Sequence, residues 1–289
     1  MATSRDIRTK ISGIKNIQKI TRAMQMVAAS KMKKTKDRMF ASRPYAEKIH
    51  QVITHLGRTN PEYRHPFMQV RTAKRVGYIV MTTDRGLCGA LNLNIFKKML
   101  IELKQLKAQN LEADLCLVGD KADSFFRSIG GSVVAKANHI DNDTGVKDLI
   151  GAVKTMSDLF VKGKVDSVYV CYSKFINTMV QKPDVIQLLP VTVSHTEKRE
   201  YIWDYLYEPN PQELLDGLLR RHLEAQVYQS VVETLACEQS ARMISMKNAT
   251  ENAAKLIDDL KLSYNKVRQA TITTELTEIV SGAQAIEGG

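Results

Sequence analysis

Apolar residues recur at steps of three and four along the first part of the chain. They stand at Ile7, Ile11, Ile14, Ile17, Ile20, Met24 and Val27. Such steps place side chains on one stripe of an α-helix, so a helix is predicted from Ser4 to about Leu56, ending near Gly57. Pro44 is the one proline in this stretch. Because proline removes a backbone donor and clashes with the preceding turn, we expect a kink or the start of a second section there.

The middle of the chain alternates between short apolar runs and helical stretches. Four runs rich in β-branched and aromatic residues predict buried strands at Val76–Thr83, Asp114–Gly119, Ser167–Tyr172 and Val185–Val193. Helical spacing occupies Asn92–Leu106, Lys121–Ile129 and Val146–Val161. This alternation indicates a small, mostly parallel sheet that is covered on both faces.

A second long helix is predicted from Pro211 to about Ile286. No glycine occurs between Gly217 and Gly282. The predicted seam consists of Ala225, Tyr228, Val232, Leu235, Gln239, Met243, Met246, Ala249, Ala253, Leu256, Leu260, Tyr264 and Val267. These positions cover 42 residues in 12 steps, a mean of 3.5. A repeat of 3.5 is typical of a left-handed coiled coil.

The lengths of the two helices decide the predicted architecture. At about 1.5 Å per residue they would extend roughly 80 Å and roughly 110 Å, whereas a compact chain of this size has a radius of gyration of about 19 Å. We therefore expect an antiparallel coiled coil that projects from the central domain, an α+β arrangement overall. The predicted boundaries are an N-terminal helix at 1–57, an α/β domain at 74–195, a connecting segment at 196–210 and a C-terminal helix at 211–286.

The net charge of +11 is concentrated near the N-terminus. Residues 1–60 hold 14 Lys and Arg against three acidic residues, so this segment must face an acidic partner or water.

The cysteines at 88, 116, 171 and 237 form no CxxC pair and the six histidines lack ligand spacing, so we expect no metal, no cofactor and a reducing compartment. No apolar run approaches the roughly 18 residues of a membrane helix, so a soluble chain without a signal peptide is expected.

The last twenty residues differ in chemistry from the rest of the C-terminal helix. No Lys or Arg follows Arg268, and Ile272, Leu276, Ile279, Val280 and Ile286 alternate with Thr, Ser and Ala. A weakly charged aliphatic end suits a close-fitting apolar sleeve. A frayed, exposed terminus is the other interpretation.

Four stretches resemble the gamma subunit of F-type ATP synthases. They are ITRAMQMVAASK at 20–31, DRGLCGALN at 84–92, EQSARMISMKNATEN at 238–252 and YNKVRQATITTELTEIVSGAQA at 264–285. Their order and spacing extend the resemblance over essentially the whole chain. It implies a coiled coil joined to a Rossmann-like central domain without a nucleotide site.

The resemblance also implies a function and a set of partners. The chain would be a non-catalytic rotor shaft that transmits torque from a proton-driven c-ring to a head of alpha and beta subunits, and so couples proton flow to ATP synthesis or hydrolysis. Its central domain would bind the epsilon subunit and the c-ring. The expected location is the cytoplasmic face of a bacterial inner membrane, where the chain would be peripheral.

The resemblance further implies which residues contact the beta subunit. Met24 and the basic residues Lys31 and Lys33, followed by Lys34 and Lys36, would lie level with an acidic loop of beta. The other implied contacts are Arg242, Arg268, Gln269, Thr273, Glu275, Glu278 and Val280. Three alternatives stay open: Met24 could pack in the seam, Arg242 could pair with Glu238 one turn away, and Gln269 with Thr273 could form a solvated helix face.

Two other functional classes have some support in the sequence. The turn at Asp84–Asn92 follows a strand and precedes a helix, as a phosphate-binding loop does, but it lacks GxGxxG and GK[ST], which favours tight strand-to-helix packing. No paired acid and base, nucleophile elbow or metal cluster supports an enzyme. The alternative is a basic coiled coil that binds nucleic acid, although Phe40 and Tyr45 are the only aromatics of that helix.

Overall fold

The computed structural model describes residues 4–59, 65–137, 146–192 and 211–287. The helices are α1 (Ser4–Thr59), α2 (Leu91–Ala108), α3 (Asp120–Ile129), α4 (Val146–Val161) and α5 (Pro211–Glu287), with a 3-10 turn at Pro66–Met68. The strands are β1 (Arg75–Met81), β2 (Glu112–Val118), β3 (Ser132–Ala137), β4 (Ser167–Phe175) and β5 (Gln181–Leu189). The predicted connecting segment at 196–210 lies outside the described residues, as does Val193.

The chain divides into two compact units. A helical unit comprises Met1–Ala28 and Met243–Gly289, and a central unit comprises Ala29–Arg242. Both α1 and α5 contribute residues to both units. The sheet, together with α2, α3 and α4, belongs entirely to the central unit.

The sheet has the strand order β3-β2-β1-β4-β5. β1 pairs in parallel with β2 and β4, β2 pairs in parallel with β3, and β5 is antiparallel to β4. The predicted mostly parallel sheet is therefore confirmed. β5 carries Pro183, which its position at the sheet edge permits.

Apolar side chains cover both faces of the sheet. On one face Ile79, Val168 and Val170 pack with Ile53 of α1 and with Leu219, Leu223, Val227 and Val231 of α5. On the other face Val80, Leu115 and Leu117 pack beneath Met99 of α2 and Phe126 of α3. Helix α5 is thus a layer of the central unit as well as a partner of α1.

α1 is one helix through Pro44, so the proline does not begin a second helix. The predicted apolar stripe is wrong at three positions, because Ile17, Ile20 and Val27 are more than half exposed. Thr21 and Ala28 are buried instead. Small side chains let two helices approach closely at these positions, whereas Ile17, Ile20 and Val27 face outward.

Helix α5 follows the predicted seam with one correction. Leu256 is 52% exposed and the neighbouring Ile257 is 5% exposed, so Ile257 takes the buried position. The step from Ala253 to Ile257 is four residues and the next, to Leu260, is three, which preserves the 3.5 repeat.

The predicted antiparallel pairing of the long helices is confirmed. In the central unit Met39 packs on Val232 and Ala236, and the Ser42 hydroxyl donates to Gln229 Oε1 at 2.5 Å, so residue numbers on α5 fall as those on α1 rise. In the helical unit the Thr21 and Thr250 hydroxyl oxygens lie 2.8 Å apart.

Candidate functional site

The topological switch point of the sheet lies between β1 and β4. The chain leaves β1 for β2 on one side, whereas β4 lies on the other. In open α/β sheets the crevice at the carboxyl ends of such strands is where nucleotides bind. The switch point is therefore the first place to look for chemistry in this fold.

Helix α5 fills that crevice. Met81 and Thr82, at the end of β1, face Val231, Thr234, Leu235 and Glu238 of α5 across a cavity of about 10 Å³. Such a volume is at the lower limit for a single water molecule. A phosphate or a nucleotide base has no room there.

The loop after β1, for which tight strand-to-helix packing was predicted, is held by hydrogen bonds to the helices that follow it. Asn92, at the start of α2, accepts from the Thr83 amide at 3.2 Å and donates to the Thr83 hydroxyl at 2.7 Å. The Thr83 hydroxyl in turn donates to the Arg85 carbonyl at 2.7 Å. Asp84 accepts from the Asp120 amide at 3.0 Å and so ties the loop to α3. The arrangement holds strand and helix together.

Residues 229–240 of α5 are buried on every side of the helix. A helix buried all round is normally apolar, yet the polar residues in this stretch are Gln229, Ser230, Glu233, Thr234, Glu238, Gln239 and Ser240. Several of them bond to the sheet or to α1. This group was not predicted, although seven polar residues distributed over all faces of one helix are a signal that the sequence contains.

Two of these polar side chains, together with Cys237, bond to the end of β4. The Ser173 amide donates to Thr234 Oγ1 at 3.3 Å, and Cys237 Sγ donates to the Ser173 carbonyl at 3.3 Å. The Phe175 amide donates to Glu233 Oε2 at 3.4 Å. α5 is therefore held to the sheet by directed contacts as well as by apolar packing.

Arg242 makes its contacts inside the central unit. Its guanidinium lies 2.6 Å from Glu238 Oε1 and 3.2 Å from the Gly86 carbonyl. The exposed fractions of the Arg242 and Glu238 side chains are 12% and 8%. The alternative interpretation of Arg242, an intrahelical pair with Glu238, is what the structure shows, and the pair also anchors the loop after β1.

The four cysteines are buried and reduced. Burial raises the pKa of the Cys116 and Cys171 thiols to about 12. Burial is also the main cause of the raised pKa of Cys88, which the Thr83 hydroxyl bond partly opposes. Thiols with raised pKa values are poor nucleophiles and metal ligands.

The predicted beta-contact residues of α1 lie in different units. Met24 is half-buried in the helical unit, consistent with the seam alternative, whereas Lys31 is half-buried and Lys33 exposed in the central unit. Of the following lysines, Lys34 is exposed and Lys36 lies over the Phe40 ring, 5.7 Å from its centroid. The lysines form a charged surface that other molecules can reach.

The predicted contact residues near the end of α5 are all exposed. They are Arg268, Gln269, Thr273, Glu275, Glu278 and Val280. Gln269 and Thr273 are brought together only through the backbone, since the Thr273 hydroxyl donates to the Gln269 carbonyl at 2.9 Å. Ile272, Leu276, Ile279 and Val280 are between 47% and 67% exposed. This end of the helix presents a large apolar surface.

The described helices contain no segment that is long and apolar enough to cross a bilayer.

Comparison with known proteins identifies the family. A family model described as ATP synthase matches residues 3–286. The ATP synthase gamma chain of Coxiella burnetii (strain Dugway 5J108-111) is 55% identical over 99% of this chain and 100% of its own length. The gamma chain of Coxiella burnetii strain RSA 493 is equally similar.

Solved structures share the fold at lower identity. A rotor chain of Euglena gracilis mitochondrial ATP synthase is 19% identical with a TM-score of 0.67, over 93% of this chain and 98% of its own. A central-stalk/c-ring chain of the Tetrahymena thermophila enzyme is 23% identical with a TM-score of 0.60, over 80% of this chain and 99% of its own. With its match to the family model and its 55% identity to full-length relatives, this chain belongs to the family of ATP synthase gamma chains.

Proposed function

We propose that this chain is the central rotor shaft of an ATP synthase. It transmits torque from a proton-driven c-ring to a catalytic head of alpha and beta subunits and so couples proton flow to ATP synthesis or hydrolysis. The observation that carries the proposal is the exposed apolar end of α5, which suits a rotating contact within a close-fitting sleeve. Because the chain belongs to the ATP synthase gamma family, the rotor function is favoured over the alternative of a coiled coil that binds nucleic acid.

The proposed role is non-catalytic. α5 fills the switch point, where a nucleotide would bind in related folds, so ATP chemistry belongs to the partner subunits. The sheet and its helices would bind the epsilon subunit and the c-ring. The chain would then reach the cytoplasmic face of a bacterial inner membrane through the complex, as a peripheral subunit.

Unequal sides of the α5 end supply a mechanism. At 100° per residue, Ile272, Leu276 and Ile279 form one stripe, Glu275 and Glu278 lie on one flank of it, and Thr273 and Thr277 lie on the other. A shaft that contacts three identical beta subunits can bias them only by interacting differently with each, because a ligand of equal affinity for all states shifts none of them. Rotation would present an apolar, an acidic and a hydroxyl-bearing face to each subunit in turn.

The cations of α1 would act lower on the same partner. Lys31 and Lys33 would lie opposite an acidic loop of beta, and Met24 would lie near the same level. Exposed ion pairs contribute only about 0–1 kcal/mol each, so they can form and break as the shaft turns. Arg268, Gln269, Thr273 and Val280 would contact beta near the apolar end.

The work per catalytic event sets a mechanical requirement. One charge crossing 100 mV supplies about 2.3 kcal/mol, so several protons must be summed for each ATP. A shaft that stores this work must resist twisting. Two paired helices, of which α5 also packs on a sheet, meet that requirement better than a single helix would.

A disulfide between the end of α5 and a beta subunit tests the proposal. A cysteine introduced at the exposed Ile279 would pair with a cysteine on the facing beta surface, and the native cysteines do not compete because all four are buried. We expect the oxidised complex to lose multi-site ATP turnover while nucleotide binding persists, and the reduced complex to recover. Full turnover with a completely formed crosslink would contradict a shaft that must rotate. The matched control carries the Ile279 cysteine alone.

A further inference from the structure

We propose that Glu233, Thr234 and Cys237 of α5 form a torsional clamp, which is the set of hydrogen bonds that holds α5 to β4 against twisting. These three are positioning residues for the coupling of rotation to ATP turnover. The inference rests on the proposed rotor function and goes beyond it by naming where torque enters the helix. All the contacts involved lie in the central unit.

The clamp lies where β4 extends beyond the end of its pairing with β1. The ladder between β1 and β4 ends at the pair Val80 and Cys171. β4 continues to Phe175, where its other edge still pairs with Gln181 of β5. Beyond Cys171, the backbone groups of β4 on the β1 side therefore have no strand partner in this ladder. Buried backbone groups need a partner from elsewhere.

Side chains of α5 supply those partners. Thr234 accepts from the Ser173 amide, Cys237 donates to the Ser173 carbonyl and Glu233 accepts from the Phe175 amide, at 3.3, 3.3 and 3.4 Å. The three α5 residues are no more than 4% exposed. The helix thus occupies the place of a missing strand segment, and each contact would leave a buried group unpaired if it broke.

Glu233 also joins the sheet to the other long helix. Its Oε1 accepts from Gln229 Nε2 at 3.0 Å, and Gln229 Oε1 accepts from the Ser42 hydroxyl of α1 at 2.5 Å. One buried carboxylate therefore links β4, α5 and α1. A displacement of the sheet is passed to both helices of the pair.

Directed contacts are what a torque-bearing joint requires. Apolar burial is non-directional, so packing alone allows a helix to roll or slide by exchanging side-chain contacts. A slip of one residue moves an α-helix by about 1.5 Å and rotates its side chains by about 100°. Such a slip would take Glu233 and Thr234 away from the β4 amides, so the clamp fixes α5 both along and about its axis.

Matched substitutions in the whole ATP synthase test the clamp. Glu233→Met and Thr234→Val remove the acceptors with little change of volume, whereas Glu233→Gln and Thr234→Ser keep an acceptor. In inverted membrane vesicles we measure ATP-driven proton uptake divided by ATP hydrolysis. The loss of one net hydrogen bond shifts the balance between the held and the slipped helix about threefold toward slipping, so we expect the ratio to fall below the wild-type value in Glu233→Met and Thr234→Val. The conservative variants should retain the wild-type ratio.

Amide hydrogen exchange in the same complexes reports the contacts directly. Exchange at Ser173 should accelerate in Thr234→Val and exchange at Phe175 in Glu233→Met, but neither in the conservative variants. Faster exchange with an unchanged pumping ratio would overturn the proposal, as would unchanged exchange. If the larger changes prevent assembly, Cys237→Ala against Cys237→Ser gives a milder pair, and the pumping ratio is its readout because Cys237 bonds to a carbonyl and not to an amide. Normal pumping by every variant would leave the rotor function standing and remove only the clamp.

Discussion

Replacing Gly119 with alanine is expected to destabilise the central unit severely. Gly119 joins β2 to α3 with φ 99° and ψ 144°, a backbone region that is nearly closed to residues with a Cβ. Its amide donates to the Ala137 carbonyl at 2.8 Å, so the peptide cannot rotate freely into another conformation. The position also sets the approach of β2 to β1 beside the switch point.

The magnitude follows from what the added methyl group would meet. A Cβ at Gly119 would lie 2.5 Å from the Thr82 carbonyl oxygen and 2.9 Å from Thr82 Oγ1. Thr82 cannot retreat, because its amide donates to the Val118 carbonyl at 2.8 Å and its hydroxyl accepts from the Ala122 amide at 2.9 Å. Backbone strain costs about 1–3 kcal/mol and overpacking a further 1–3 kcal/mol, so about 4 kcal/mol is expected.

Urea unfolding of the full chain, followed by circular dichroism, measures this cost. Gly130→Ala is the matched control, because Gly130 also has a positive φ, 81°, but a Cβ there would meet nothing within 4 Å. We expect it to lose about 1 kcal/mol from conformational strain alone. If Gly119→Ala lost no more stability than Gly130→Ala, the close approach of Gly119 to Thr82 would not be a real constraint.

Three further predictions concern the same chain. Gly151→Ala, inside α4 with open space around the added methyl group, should raise the free energy of unfolding by about 1 kcal/mol in urea titrations, because alanine favours helix. Burial lowers the pKa of His65 below its ordinary value of 6.5, against the opposing charge of Asp216. Because the unfolded chain then binds the proton first, stability should fall as the pH drops below 6.5. His65→Asn, which keeps an acceptor for the Phe67 amide, should lack that component when urea midpoints are compared across this pH. Deleting Ile272–Gly289 should lower ATP synthesis by the assembled complex, because the apolar bearing surface is lost; full coupling without these residues would exclude a required role for the end of α5.

Much of the fold could be predicted because its signals are local. The two long helices are marked by extended periodicity, which in α5 has no glycine between Gly217 and Gly282, and β1 and β2 are marked by the short apolar runs Tyr78–Met81 and Leu115–Val118. β3 was missed because Ser132–Ala137 is short, lies at the sheet edge and alternates exposed with half-buried positions. β4 was predicted too short, because its end is formed by pairing with β5 across the hairpin and carries Lys174.

The seam of α1 shows what apolarity alone cannot determine. Ile17, Ile20 and Val27 were predicted to be buried because they are aliphatic, yet they lie beside the seam. Thr21 and Ala28 lie in the seam instead. Stripes with periods of 3.5 and 3.6 separate by only about 20° per heptad, so neighbouring stripes are equally good candidates in the sequence. The partner helix decides between them through the space it leaves.

The candidate site was predictable only in part, for a related reason. The contact residues came from the resemblance, and their exposure agrees with a role in binding at the end of α5, but exposure is common on helices. Glu233, Thr234 and Cys237 were not predicted, because their importance depends on where β4 outruns β1. The polar residues of α5 indicate that this part of the helix has polar partners, but the sequence of α5 does not show that the partners are the unpaired end of β4.

The helical unit buries Ile7, Met246 and Ile257 but leaves many of its other aliphatic residues exposed, and this distribution supports the rotor function. A coiled coil that must hold itself together places aliphatic residues in its seam, since apolar burial supplies its stability. Here Thr21 and Thr250 face each other in the seam, whereas Ile17, Ile20 and Val27 face outward on α1 and Leu276 and Ile279 do so on α5. Outward apolar area of this kind is costly in water and marks a surface that a partner covers. The unit therefore leaves a substantial part of its hydrophobic surface for the subunits around it, as a shaft that turns inside a protein sleeve requires.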